Sequence, residues 1–125
     1  MNTEKQQDLG VRTKAFALQI IRLYSSLPKT TVAQVIGKQV LRSGTSVGAH
    51  YREARRAKSD ADFINKIEGG LQELDETGYW LELLAESGVV APERLRPLLD
   101  ETEELIAIFV TMVKKVKSKR LQTQG

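Results

Sequence analysis

Cysteine is absent from the 125-residue chain, and histidine occurs once, as His50. These absences exclude a disulfide framework, a thiolate nucleophile, a cysteine zinc site and any site that needs two histidines. No apolar run approaches the length of about 18 residues that a membrane-spanning helix needs. Because the first ten residues lack the apolar centre of a signal peptide, we expect a cytoplasmic protein. The composition, with 41% hydrophobic and 28% charged residues, is typical of one folded domain over 1–125.

The sequence also lacks the short motifs of common enzymes. It contains no phosphate-binding loop, no nucleophile elbow and no dinucleotide-binding glycine fingerprint. A di-metal centre in a helical bundle needs Glu-x-x-His pairs, whereas this chain has only the reverse order, His50-x-x-Glu53. We therefore expect a protein that is not an enzyme and that holds neither a metal nor a cofactor.

Proline occurs only three times, and the long stretches between prolines carry apolar residues at steps of three and four. This spacing predicts helices over residues 3–26, 32–58, 59–87 and 92–119, with a frayed tail over 121–125. Short connections between long amphipathic helices predict an all-α fold, an antiparallel up-down-up-down four-helix bundle. We expect Pro97 to separate a first turn of the last helix from its main segment.

Residues at the predicted helix ends support these boundaries. Thr30 or Thr31 can cap the second helix, and Ser59 with Asp62 resembles a capping box for the third. Gly88 suits a left-handed helix end. The residues expected on the buried faces, in chain order, are Leu9, Phe16, Ile20, Leu23, Leu27, Val32, Val35, Ile36, Val40, Ser43, Val47, His50, Phe63, Ile67, Gly70 or Leu71, Leu74, Gly78, Leu81, Leu84 or Ala85, Leu98, Thr102, Leu105, Phe109, Met112 and Val116. Two adjacent glycines at 69 and 70, inside the third apolar stripe, predict close helix packing.

Charges of one sign are grouped along the chain. Residues 1–58 carry a net charge of +8, residues 59–104 carry −10, and residues 105–125 carry +5. Such blocks indicate complementary surfaces, which can pair within the bundle, between subunits, or with a polyanion.

The basic residues near the end of the second and fourth helices are the main functional candidates. Arginine matches the geometry of phosphate oxygens, and Arg52, Arg55 and Arg56 lie close together on the predicted helix. The candidate nucleic-acid-binding residues are Lys38, Arg42, Arg52, Arg55, Arg56, Lys58, Lys114, Lys115, Lys117, Lys119 and Arg120. The alternative for the second-helix residues is pairing with the acidic third helix, and the sequence leaves both open. Tyr79 and Trp80, at the flank of the third stripe, predict a subunit interface, with packing or base stacking as alternatives.

Two segments resemble a known family. One runs over residues 37–54 and reads GKQVLRSGTSVGAHYREA, and the other runs over 72–84 and reads QELDETGYWLELL. Both are similar to bacterial four-helix-bundle proteins known as 23S rRNA-intervening-sequence (S23-type) proteins, which include the accessory variability determinant of diversity-generating retroelements. The resemblance extends over about residues 11–115. Departures from the family pattern include His50, where asparagine is usual, and Gly48, where proline is common.

The resemblance implies a ring-like homopentamer without catalytic residues. Within this family, the accessory variability determinants bind nucleic acid and work with a reverse transcriptase. Together with the charge pattern, the resemblance suggests a non-enzymatic oligomeric scaffold that binds nucleic acid largely independently of base sequence. We expect the nucleic acid to be RNA rather than DNA. The alternative hypothesis is a protein-interaction module that docks a partner such as a retroelement reverse transcriptase. Neither hypothesis places the protein in a membrane.

Overall fold

Helices account for nearly all of the chain in a computed structural model, which describes the backbone of residues 2–124 and the side chains of residues 9–121. The helices are α1 (Asn2–Ser26), α2 (Thr31–Arg55), α3 (Asp60–Glu86) and α4 (Pro92–Gln124). Each helix packs along the next one in sequence, whereas α1 and α4 meet over a short stretch. No strand occurs within residues 2–124. The prediction of an all-α four-helix bundle is therefore confirmed.

The helix ends follow the local chemistry of the sequence. The Thr30 side chain accepts a hydrogen bond from the Ala33 N–H at 3.3 Å, and Ser59 accepts one from Asp62 at 3.0 Å. Each side chain thus satisfies an N–H group that has no partner within its helix. After α3, Gly88 adopts a φ of 79°, a left-handed conformation that costs glycine little.

Two predicted boundaries differ from the structure. The second helix ends at Arg55 rather than near residue 58, because the N–H groups of Arg56 and Ala57 turn back to carbonyls three residues earlier. The fourth helix runs without a break through Pro97, in its second turn, and continues to Gln124. The predicted tail over 121–125 is thus helical as far as residue 124, and Gly125 lies outside the described residues.

The core contains most of the predicted residues, with instructive exceptions. All five residues expected from the first helix are buried, as are Leu74 and Leu81 at the centre of α3. Val32 and Val35 were expected inside but are more than half exposed, because Ala33 and Gly37 of the same turns face the core instead. Phe63, Met112 and Val116 are only half buried, since they lie at one end of the bundle.

Glycines let the helices approach one another closely within the chain. A Cβ atom on Gly44 of α2 would lie 2.7 Å from Ile20 of α1, and one on Gly70 of α3 would lie 2.7 Å from the Phe109 ring. A Cβ on Gly69 would lie 2.9 Å from the imidazole of His50. The predicted close packing at residues 69 and 70 is confirmed, and the partners are helices of the same bundle.

A polar contact between buried side chains lies at the centre of the α2–α3 interface. The buried Thr77 and Ser43 hydroxyls are 2.8 Å apart, and Ser43 donates a hydrogen bond to the Gln39 carbonyl at 2.9 Å. The Thr77 hydroxyl also lies 2.8 Å from the Glu73 carbonyl of its own helix, so a shift of one helix along the other would break the contact between the hydroxyls but leave each with a partner. The register of α2 against α3 sets which α2 cations lie opposite α3 carboxylates.

Candidate nucleic-acid interface

The antiparallel topology brings the last turns of α2 and α4 to the same end of the bundle. We call this the basic end; it comprises the last turn of α2, the α2–α3 turn and the α4 segment from Met112 to Arg120. Met112 and Val116 of α4 line the same groove as Arg55 and Lys58. The two basic clusters found in the sequence, residues 52–58 and 114–120, therefore belong to one region of the fold.

The larger groove at the basic end, here the α2–α4 groove, has a volume of about 560 Å³. Its apolar lining comes from Tyr51, Phe63, Met112 and Val116 together with two alanines. Its polar lining consists of Arg55, Lys58, Ser59 and Asp60. The groove thus combines an apolar floor with two cations and one carboxylate at its edge.

A second groove, the α1–α2 groove, lies on the other side of Tyr51 and has a volume of about 330 Å³. Lys14, Arg52 and Arg55 line it, together with small residues such as Gly48. Tyr51 and Arg55 belong to the linings of both grooves. Arg55 therefore lies at the junction of two cationic depressions.

Tyr51 forms the buried wall between the grooves. Its side chain is 2% exposed, and its ring centroid is 6.2 Å from that of Phe109. Burial raises the pKa of the Tyr51 phenol, and the positive charge of Arg55 partly opposes this effect. Desolvation disfavours the phenolate, and the buried ring packs as the wall between the two grooves.

Most cations of the basic end have no carboxylate partner. Arg52, Arg55, Arg56 and Lys58 are exposed, and none forms an ion pair with another side chain in the described range 9–121. The same holds for Lys114 and Lys115 on α4. Their positive charge is therefore not neutralised by an ion pair within this part of the chain.

The remaining α4 cations differ. Lys117 approaches Glu68 of α3 at 3.5 Å, and both side chains are about half exposed. Solvent screens such a pair strongly, so a phosphate can compete for this lysine. Lys119 and Arg120 follow in the same last turns of α4 and have interactions of their own within the chain.

Arg42, another of the candidates, is paired with carboxylates within the bundle. Its guanidinium lies 2.6 Å from Glu76 and 3.2 Å from Glu73, both on α3. The hydrogen bond to Glu76 and the charge of Glu73 raise the pKa of Arg42 further above its ordinary value. For this arginine the structure shows the pairing alternative, because the helix register places it directly beside two carboxylates.

Lys38, one turn before Arg42 on α2, is exposed and has no ion pair with a described side chain. However, it lies in the half of α2 that is remote from the basic end. The structure therefore does not bring it together with the other candidates.

The predicted interface pair divides between surface and core. Tyr79 is 56% exposed, whereas Trp80 is half buried against the core. The two rings meet edge to face with centroids 5.1 Å apart. The indole Nε1 of Trp80 is buried and has no hydrogen-bond partner among the described residues. Tyr79 is thus presented at the surface, and Trp80 supports it from behind.

Sequence reasoning missed part of the site. Lys14 was not a candidate, because an isolated lysine on the outer part of the first helix carries no local signal. Phe63, Met112 and Val116 were expected in the core. An apolar stripe in the sequence does not show where the neighbouring helix that would bury it ends. Asp60 was not a candidate either, although it lines the groove.

The described residues contain no group of three or more His, Cys, Asp or Glu side chains placed to hold a metal ion. His50 packs over Gly69 and has Nδ1 3.4 Å from a Glu53 carboxylate oxygen. No helix in the described part combines the length and the apolarity needed to cross a bilayer.

Comparison with known proteins agrees with this bundle. A crystal structure of a protein of unknown function from the S23 ribosomal protein family of Bacteroides thetaiotaomicron VPI-5482 is 38% identical to the chain, with a TM-score of 0.83. The similarity covers 88% of this chain and 98% of that protein. Comparison with curated proteins gives no match. Residues 6–111 match the 23S rRNA-intervening sequence protein family, and the chain belongs to this family.

Proposed function

We propose that this protein is a non-enzymatic, oligomeric scaffold that binds nucleic acid, with RNA as the expected ligand, through its basic end. The observation that carries the proposal is the contrast between Arg42, which is bound by carboxylates, and Arg52, Arg55, Arg56 and Lys58, which are not. Unpaired, exposed arginines around a groove are suited to phosphate oxygens. The rRNA in the family's name adds support for RNA.

Contacts of this kind recognise the backbone rather than the bases. Lysine and arginine at the basic end would displace counterions from phosphates, so affinity would depend steeply on salt and weakly on sequence. A single bundle offers a small number of such contacts, which predicts weak binding by one subunit. Repetition of the basic end in an oligomer would raise the overall affinity through avidity.

For the assembly we propose a homopentamer in which Tyr79, supported by Trp80, forms part of the subunit contact. Aromatic residues are enriched at interface cores, and Tyr79 is exposed. Head-to-tail contacts between faces of opposite charge close into a ring when the rotation allows it. The proposed contact does not rest on Gly44, Gly69 or Gly70, because Ile20, His50 and Phe109 of the same bundle already occupy the space beside them.

A mobility-shift titration with unstructured RNA tests binding. Replacement of Arg52, Arg55, Arg56 and Lys58 by glutamine should abolish most of the shift at low salt. The control variant replaces Arg94 and Arg96, exposed cations near the start of α4, by glutamine and should bind RNA like the wild type. Wild-type protein that binds no RNA or DNA at low salt would refute the proposal.

Light scattering tests the assembly separately. A pentamer of 14.0 kDa chains would have a mass of about 70 kDa at moderate salt. Tyr79→Ala should lower this mass, whereas replacement of the exposed Thr111 by alanine should not. A wild-type mass equal to that of one chain at micromolar concentration would rule out the ring.

Exposed apolar residues favour a second candidate function, docking of a protein partner such as a reverse transcriptase. Val11, Leu18 and Ile21 are exposed along the outer part of α1, and Val32 and Val35 are exposed at the start of α2. Isolated exposed apolar residues are common, but a succession along one helix is typical of an interaction surface. Co-purification with a reverse transcriptase encoded next to this protein would support this function. The co-purification should be lost on Leu18→Asp but not on replacement of the basic-end arginines.

A further inference from the structure

We propose that the α2–α4 groove receives an unpaired base, so that the protein prefers single-stranded nucleic acid to duplex. This inference rests on the proposed nucleic-acid binding and adds the strand type to it. Its basis is the juxtaposition, in one groove, of an apolar floor and two cations without carboxylate partners.

The floor of the groove is unnecessary for phosphate binding alone. Phe63, Met112 and Val116 are each half buried and line a volume of about 560 Å³, which lies within the usual range for ligand pockets. Hydrated phosphates gain nothing from contact with such side chains. A nucleobase does, because its faces are apolar and stack on aromatic rings such as that of Phe63.

The charges around the groove favour the same arrangement. Arg55 and Lys58 lie at its edge, where they can hold the phosphates that flank an inserted base. The Asp60 carboxylate also lines the groove, and it repels a phosphate while it can accept a hydrogen bond from a base amino group. One groove therefore offers apolar side chains and a carboxylate for the base, and cations for the phosphates that flank it.

The α1–α2 groove extends this surface on the other side of Tyr51. Arg55 lines both grooves, and Arg52 and Lys14 line the second one. A strand whose base occupies the α2–α4 groove would thus meet further cations along its backbone. A duplex reaches the same cations but keeps its bases paired, because extrusion of a base costs pairing and stacking energy.

Fluorescence anisotropy with the full chain tests this inference. The probes are a labelled unstructured RNA 12-mer and a duplex RNA of equal length, at the same salt concentration. We expect the wild type to bind the single strand more tightly, and Phe63→Ala to weaken that binding at least about fivefold. Because this substitution leaves every charge in place, duplex binding should not change.

Two further variants sharpen the experiment. Leu83→Ala, at a half-buried position near the other end of α3, is the matched control and should retain the single-strand preference. Ala57→Leu partly fills the groove without a change of charge and should reduce the preference even if Phe63→Ala is too unstable to purify.

The outcomes separate this inference from the proposed function. Equal binding of both probes by the wild type, or a preference unaffected by the groove variants, would overturn base insertion and leave phosphate binding intact. Failure of the wild type to bind either probe at low salt would overturn both.

Discussion

Arginines in the middle and near the end of one helix have opposite surroundings. Arg42, in the middle of α2, is bound by Glu73 and Glu76 of α3, whereas Arg52 and Arg55, near the end of α2, have no carboxylate partner among the described residues. The difference arises from position, because the antiparallel register sets acidic residues of α3 beside the middle of α2. Charge alone is therefore a poor guide to function; the residue across the helix interface determines whether an arginine is available.

The largest effect on stability is expected from a substitution at the centre of the bundle. Leu74 is fully buried on α3, and Leu74→Ala should lower the free energy of unfolding by about 2–5 kcal/mol. Denaturant titration followed by circular dichroism measures the change. Leu121→Ala, at a residue that is 70% exposed, serves as the control and should have little effect. A loss below about 0.5 kcal/mol for Leu74→Ala would contradict the described core.

A smaller effect on stability, and none on binding, is expected for Arg42. Arg42→Gln leaves the Glu73 side chain, which is 12% exposed, without its charge partner. We expect a loss of about 1 kcal/mol in unfolding free energy, since the arginine itself is half exposed. RNA affinity should equal that of the wild type. A clear loss of RNA binding would show that the middle of α2 also contacts the ligand.

The smallest effect is expected at the buried hydrogen bond between α2 and α3. Thr77→Val keeps the side-chain shape but removes the hydroxyl that lies 2.8 Å from Ser43. Because Ser43 still donates to the Gln39 carbonyl, the loss of stability should be about 1 kcal/mol or less. Thermal unfolding provides the measurement. A loss comparable to that of Leu74→Ala would mean that this hydrogen bond, rather than apolar burial, dominates the contact between α2 and α3.

Local signals in the sequence account for much of the fold. Thr30, Ser59 and Gly88 mark helix ends through short-range chemistry, and the structure places all three as expected. The phase of α2 was harder to read, because Val32 and Val35 are more apolar than the Ala33 and Gly37 that face the core. When small residues occupy the buried face of a helix, the apolar pattern of the sequence does not indicate which face is buried.

The candidate site was only partly predictable for a related reason. The cluster at residues 52–58 is visible in the sequence, and its exposure follows from its place near a turn. The pairing of Arg42 requires the register of α2 against α3, which depends on long-range contacts such as that of Ser43 with Thr77. The groove beside Arg55 could not be predicted from the sequence, because it forms where α2, α3 and α4 meet at one end of the bundle. Met112 is only half buried there.

The salt dependence of RNA affinity tests the central claim most directly. Each phosphate contact with a single strand adds about 0.7 to the slope of log affinity against log salt. The account predicts that replacing Arg52, Arg55, Arg56 and Lys58 by glutamine reduces the magnitude of this slope by up to about 3, while Arg42→Gln leaves it unchanged. Equal slopes for the wild type and the fourfold variant would contradict the account.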